Sequence, residues 1–512
     1  KDSGTASCFK GTTFYFDSLD LDFENNTPIP SGVLSAREIK DGVSKPMPIK
    51  SAMMEDGLLK VTFSEEKTIN AYESDAEPSI PNHFSISTSC KGATGVEPMY
   101  DYTQLGETWS APRIFRIPNK TKSKRGDIDS DNYVAVMGGG LSLNDACAGS
   151  AVFLVDLEDR YNPGAIYGAE ENGGPISIVD TDPLGITIGN SVIATPNGSD
   201  INNSIPTTPL TITPDSAFNI PWRGAMVYVN DHEGKITKIN LTTSVKNDAD
   251  LFDQTTLFRL NASTTNARYT YFSMDAGVGY SDKQFWLFGS TGNFTDLGGR
   301  EPGMDNILYG IKDPDYPYFK HLNGYKLPSG TDPAFIQKAH LGANAADNID
   351  SADICKNVTA DESGDRCPDI DEKAWYITLD RDQSGNNYLP RVFRKASASP
   401  TLFSGKVYFP VYQPPPGTNK CNQGNAYVCA TDDECGTNYS RALSAQNITA
   451  TGTVGDTLDP TNNACAFVRE GILSELVIFA DKLYANVAGP SEDVSTLYSI
   501  LSLPGDVMSN KG

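Results

Sequence analysis

Short apolar runs separated by turn residues dominate the chain. Between Leu105 and Gly168 three stand out, Arg113–Ile117, Tyr133–Met137 and Ala151–Leu157, each set off by Gly, Asn, Asp or Pro. Runs of this length, rich in Val, Ile, Phe and Tyr and bounded by such breakers, read as strands. The pattern then returns. Ala225–Val229 leads into an Asp-His-Glu-Gly turn and Lys235–Leu241 comes back, which predicts a hairpin. Further runs follow at Thr256–Leu260, Tyr269–Met274, Gln284–Gly289, Asn306–Ile311, Trp375–Leu379, Arg391–Arg394, Lys406–Tyr412, Ala426–Cys429, Ile472–Phe479, Lys482–Val487 and Thr496–Ile500.

Grouped, these runs make units of three or four strands from residue 105 to about 501. None could bury its own apolar face, and repeated four-stranded sheets arranged radially would solve that problem. The fold class expected is therefore all-β, a β-propeller of four-stranded blades with long inserted loops. Five blades are clear from the pattern, and a β-sandwich or a solenoid remains the rival arrangement. Residues 1–104 match the pattern poorly. Thr12–Phe16 and Leu58–Phe63 read as strands there, so the region is an incomplete blade or blades with inserts, or a small separate domain. Residues 105–512 form the repeat domain, with an insert at 313–370 that carries the one helix expected, Ala334–Ala343.

Charge narrows the function. The chain has 41 basic and 65 acidic residues, a formal net charge of −24. A nucleic-acid binder needs a basic face, and only Lys120–Arg125 approaches one, so nucleic acid is not an expected partner. The four His are scattered and no Cys pair has CxxC spacing, which argues against zinc, haem and iron–sulfur sites. The nine Cys instead sit near acidic and Asn-rich loops, and disulfides outside the cytosol are the plainest account. Cys8, Cys90, Cys355, Cys367, Cys421, Cys429, Cys435 and Cys465 are the candidates, with a local Cys355–Cys367 bridge restraining the insert. No apolar run is long enough to span a membrane. A start at Lys1 reads as a processed chain or a fragment.

The segments TWSAPRIFRI, NYVAVMGGG and SAVFLVDLED resemble the C-terminal domain of the PilY1 family, proteins associated with the tips of bacterial type IV pili. The resemblance continues, in the same order, through MVYVNDHEGKITKINL, FWLFGSTGNF, ILYGIKD, AWYITLD and KVYFPVYQPP with CNQGNAYV after it. It covers residues 105–501. It implies a seven-bladed propeller shaped like the quinoprotein dehydrogenases, an extracellular or pilus-tip location on a bacterium, and minor pilins or other filament proteins as partners. It also implies roles in pilus biogenesis, in adhesion to host or abiotic surfaces, and in calcium-dependent motility. The von Willebrand factor A-like domain that often precedes the propeller has no counterpart here. The family's calcium loop falls at Thr213–Gly224, where Asp215, Ser216 and Asn219 offer oxygens without the alternating ladder of Asp.

Two other loops carry partial calcium ladders. Asp127, Asp129, Asp131 and Asn132 place oxygens at alternating positions, and so do Asp380, Asp382, Ser384 and Asn386. Neither has the closing Glu that completes an EF-hand loop. Solvated turns are the plainer account of both. Trp109, Trp222, Trp286 and Trp375 fall in four different units and are expected to pack between sheets. No GxSxG, HExxH, Walker loop or adjacent Cys pair appears, so catalysis and a bound quinone, haem or nucleotide are not expected. The function expected is a non-enzymatic pilus-tip adhesin and assembly factor. The alternatives are a structural subunit of another extracellular filament or envelope complex, and a secreted quinoprotein-like enzyme.

Overall fold

The computed structural model describes residues 7–17, 28–29, 34–40, 43–47, 49–55, 58–71, 82–88, 98–102, 104–141, 149–168, 173–178, 186–188, 191–193, 201, 204–214, 220–320, 347–348, 354–356, 373–380, 391–416, 423–434, 465–479, 482–489 and 498–502. Their regular structure is almost wholly strand, with three short 3-10 turns. The chain divides into two compact units. The first is Lys1–Pro206 with Tyr325–Asn344, and the second is Thr207–Gly324 with Ala345–Gly512.

In the first unit, Ser7–Asp17 pairs with the long strand Leu58–Ala71, which pairs on its other side with Ile49–Glu55 and then Pro28–Ile29. Leu34–Lys40 lies between Val43–Met47 and Asn82–Thr88 in a separate sheet. A third sheet runs in the order Ile176–Ser177, Ala151–Asp156, Asn132–Gly138, Arg113–Ile117. Its three longer strands sit within a residue of the runs read from the sequence. Phe115, Ile117, Val134, Val136, Val152 and Leu154 are buried.

The second unit holds three five-stranded sheets. Leu210–Ile212, Gly224–Asn230, Lys235–Thr242 and Gln254–Arg259 are antiparallel, and Asp347–Asn348 joins the last as a parallel neighbour. Asp275–Val278, Phe285–Ser290, Ile307–Asp313 and Ala374–Thr378 are antiparallel, with Ile354–Lys356 parallel at the edge. A third sheet has Lys395–Ala396 and Thr401–Phe403 on one side of Lys406–Gln413, then Asn425–Asp432 and Cys465–Glu470.

Side chains alternate faces along a strand, so a continuous apolar run is buried on both sides. Phe285–Ser290 follows this rule. Phe285 and Leu287 enter one core with Trp222, Tyr228, Phe258 and Tyr309. Trp286 and Phe288 enter another with Trp375, Val407, Phe409 and Val411. Tyr408 and Val428 turn to a third, with Leu473 and Leu483.

These sheets correct the expected fold class. The chain is all-β, but its strands do not form a seven-bladed propeller of four-stranded blades. Among the described residues the sheets have two, three, four or five strands, and none closes on itself. Two of them take in parallel strands from the 313–370 insert. Alternation in a sequence reports that a run pairs in some sheet. It does not report how many strands that sheet gathers, because strand count depends on partners distant in the chain. Two runs are also corrected. Tyr269–Met274 is a crossing segment that donates and accepts bonds outside any ladder, for instance Gly292 N–H to the Tyr269 carbonyl at 2.8 Å, and the strand is Asp275–Val278. Arg391–Arg394 is likewise irregular, and the pairing begins at Lys395. Ala334–Ala343 lies outside the described residues.

Candidate functional site

Arg113–Ile117 is the edge of its sheet. Phe115 and Ile117 point into the core, so Ile114 and Arg116 point outward. The register sets Ile114 opposite Ala135 and Arg116 opposite Tyr133. Ile114 is 65% exposed and Tyr133 43% exposed. The Arg116 guanidinium lies 5.2 Å from the centre of the Tyr133 ring and donates to the Ile128 carbonyl at 2.9 Å. Trp109, Ile128 and Leu157 are also about half exposed. Trp109 therefore departs from the expected packing, whereas Trp222, Trp286 and Trp375 are buried as expected.

The same end of the sheet carries positive charge. The loop after the edge strand contains Lys120, Lys122, Lys124 and Arg125, and Lys122 and Lys124 stand exposed. The Lys120 backbone N–H donates to the Tyr167 hydroxyl at 2.7 Å, and the Arg125 guanidinium to the Lys120 carbonyl at 3.2 Å, which tie the loop's two ends down. Gly139 and Gly140, after Asn132–Gly138, let the backbone pack close. A Cβ on Gly139 would come within 2.7 Å of the Ala151 and Gly149 carbonyl oxygens, and Gly140 has φ +98°. The chain at Gly106 and Glu107 then pairs with Gly139 and Leu141. An edge strand with apolar side chains outward, beside cations in a chain of net charge −24, is suited to contact another molecule.

The acidic candidates do not converge in the same way. Asp127 caps a short 3-10 turn, its Oδ1 accepting the Asp129 N–H at 3.1 Å. Asp129 is exposed and Asp131 is buried. Asn132 donates from Nδ2 to Asp156 Oδ2 at 3.3 Å. Asp380 is fully buried, accepts the Arg394 N–H at 3.2 Å and lies 3.8 Å from the Arg391 guanidinium. Burial pushes its carboxyl up to about 6, against the pull of those groups. Among the described residues no group of three or more His, Cys, Asp or Glu is placed to hold a metal ion. Asp382, Ser384 and Asn386, and Asp215, Ser216 and Asn219 at the family position, lie outside the described residues.

Cys429 and Cys465 are disulfide-bonded between adjacent strands, where the register sets them opposite each other. Cys8 and Cys355 lie on strands, and Cys90, Cys367, Cys421 and Cys435 fall outside the described residues.

Sequence reasoning missed a set of buried charges in the second unit, since Lys, Asp and Glu in alternating runs read as solvent-facing positions. Lys238 Nζ lies 2.5 Å from Asp313 Oδ2 and donates to the Tyr318 carbonyl at 2.7 Å. Tyr228 donates to the same Asp313 oxygen at 2.7 Å. The Arg268 guanidinium holds the Asp305 carboxylate at 2.8 Å. In the hairpin turn, Lys235 Nζ lies 2.5 Å from Glu233 Oε1 and 2.9 Å from Asp231 Oδ2, with all three side chains buried. Burial, and then the negative charge of Glu233, push the Asp231 carboxyl up to about 8, against the pull of Lys235. Burial holds the neighbouring His232 down to about 3. The one available signal was the spacing of Asp, Glu and Lys around a Gly turn, whose side chains must share a small volume if the hairpin is central in a sheet.

The architecture defines an all-β protein of mostly antiparallel sheets with buried ion pairs in its second unit. None of its helices, among the described residues, is long and apolar enough to cross a membrane. Among solved structures, the crystal structure of the Pseudomonas aeruginosa PilY1 C-terminal domain is similar over 92% of this chain and 83% of that chain, at 13% identity and a TM-score of 0.42. No family model matches, and no curated protein matches.

Proposed function

We infer that the protein is a non-enzymatic surface protein of the PilY1 kind, acting outside the cell at the tip of a type IV pilus as an adhesin and assembly factor. The observation that carries this reading is the ordered series of segments from TWSAPRIFRI to CNQGNAYV, which resembles that family along residues 105–501. The structure supports a contact role in a further way. The first three of those segments make the sheet whose edge strand carries Ile114, with Tyr133 on the next strand and the Lys120–Arg125 loop between the two. Rigid sheets presenting exposed loops and edges are the usual scaffold for such contacts. Minor pilins and an abiotic or host surface are the partners in this reading.

The test is imaging of the native filament with the protein labelled, together with piliation and attachment of a deletion strain. One copy at the filament end, with loss of pili or of attachment on deletion, is the expected result. Copies repeating along the filament overturn the tip reading and leave a structural subunit.

A further inference from the structure

The geometry points to an intramolecular amide between the Asp231 side chain and Lys235 Nζ, closed across the hairpin turn with Glu233 as the proton acceptor. Condensation of an amine with a carboxylic acid needs the two groups in contact, both uncharged, with water kept out and a base at hand. The turn at Asp231–Gly234 supplies each of these. Nζ lies 2.9 Å from Oδ2. Glu233 Oε1 lies 2.5 Å from Nζ and receives its proton. The Lys235 backbone N–H donates to Asp231 Oδ1 at 2.9 Å, where negative charge would develop as the nitrogen adds to Cγ. Lys235, Asp231 and Glu233 are each no more than 3% exposed. Burial also favours the protonated carboxyl of Asp231 at neutral pH.

The step balances without any further reagent. Glu233 takes one proton from the ammonium. The free amine adds to Cγ, the Cγ–N bond forms and the Cγ–Oδ2 bond breaks. Oδ2 departs as water, carrying the carboxyl proton and one proton of the amine. Glu233 then returns its proton to solvent, and Oδ1 remains as the amide oxygen on the Lys235 N–H.

Electrostatics favours the product. Before reaction the turn packs the Asp231 and Glu233 carboxyls with Lys235 and, close enough to feel Glu233, the buried Arg259 guanidinium. Buried charges of this kind carry a large desolvation cost that pairing only partly offsets. The amide removes one pair and leaves Glu233 beside Arg259. The phenol of Tyr309 is buried and close enough to feel Asp231, and the His232 and Tyr269 rings lie 4.7 Å apart between centres, tilted to each other. The cross-link would tie together two inner strands of their sheet, Gly224–Asn230 and Lys235–Thr242.

Mass spectrometry of the reduced, alkylated full chain after trypsin tests this. An amide on Nζ blocks cleavage after Lys235, so the expected product is the 224–238 peptide, lighter by one water and without fragment ions between Asp231 and Lys235. Glu233→Gln and Lys235→Arg are each expected to restore the full mass. A 224–235 peptide of full mass in the wild-type chain overturns the proposal. So does water loss with cleavage after Lys235 retained, which would place a cyclic imide at Asp231. A cross-link that survives Glu233→Gln overturns the role given to Glu233.

Discussion

The sheet of Arg113–Ile117, Asn132–Gly138 and Ala151–Asp156 and the sheet of Phe285–Ser290, Ile307–Asp313 and Ala374–Thr378 share one antiparallel ladder geometry and differ in how much of it they bury. In the first, burial alternates along Arg113–Ile117 and Asn132–Gly138, and Ile114 and Tyr133 are left outside. In the second, every residue of the three strands is buried. A two-sided core leaves no outer face for polar residues, so a charged one left without a partner inside is costly. Lys312 and Asp313 end a buried strand, and Asp313 is met by Lys238 and Tyr228. At its edge the first sheet places cations in water. The difference separates a scaffold from a surface within one chain.

Removing a large side chain from the two-sided core should have the greatest effect. Trp375 is fully buried, and a Cβ on the facing Gly310 would lie 2.5 Å from its indole ring. Trp375→Ala is expected to cost about 3–5 kcal/mol by chemical denaturation. Breaking a buried pair should cost nearly as much. Lys238→Met leaves the Asp313 carboxylate without its cation, at about 3–5 kcal/mol. A loss under about 1 kcal/mol would mean that Asp313 takes up a proton or water instead.

The pH dependence is the third measure of the difference. The Asp380 carboxyl is raised to about 6 by burial, so the native state keeps its proton where the unfolded chain, near 3.9, releases it. Its contribution to stability is complete below about pH 4 and is lost as pH rises to about 6. Asp380→Asn should flatten that part of the stability–pH curve. Smallest in stability is the exposed sheet. Ile114→Glu and Tyr133→Ala should each change stability by about 0.5 kcal/mol or less. Their expected effect is on surface attachment, and unchanged attachment in the double variant would remove this edge as a contact.

Much of the local structure was legible in the pattern. Arg113–Ile117 is a strand over the same residues that the sequence marks, and the Asp-His-Glu-Gly turn between Gly224–Asn230 and Lys235–Thr242 forms the expected hairpin. Apolar alternation and Gly or Asp punctuation act over a few residues, so a window of the sequence contains their cause. The candidate metal ligands were read from the same kind of spacing. Asp127 accepts from the Asp129 backbone N–H within its own turn, and Asp380 accepts the Arg394 backbone N–H beside the Arg391 guanidinium. Side-chain oxygens at alternating positions meet at one point only if the loop curls around it, and spacing carries no information on curl.

By itself, then, the sequence determined that the chain is all-β, where most of its strands lie, and that its charge is acidic apart from one short cationic loop. These follow from local propensity and from side-chain chemistry. Tertiary structure alone decided which strands share a sheet, that the insert contributes parallel edges, and that Asp231, Glu233, Lys235 and Lys238 lie inside rather than in water. The physical reason is the same for all three. Sheet partners and burial are set by segments tens to more than a hundred residues apart, as with Lys238 and Asp313, and a strand looks the same in sequence whichever distant neighbour covers it.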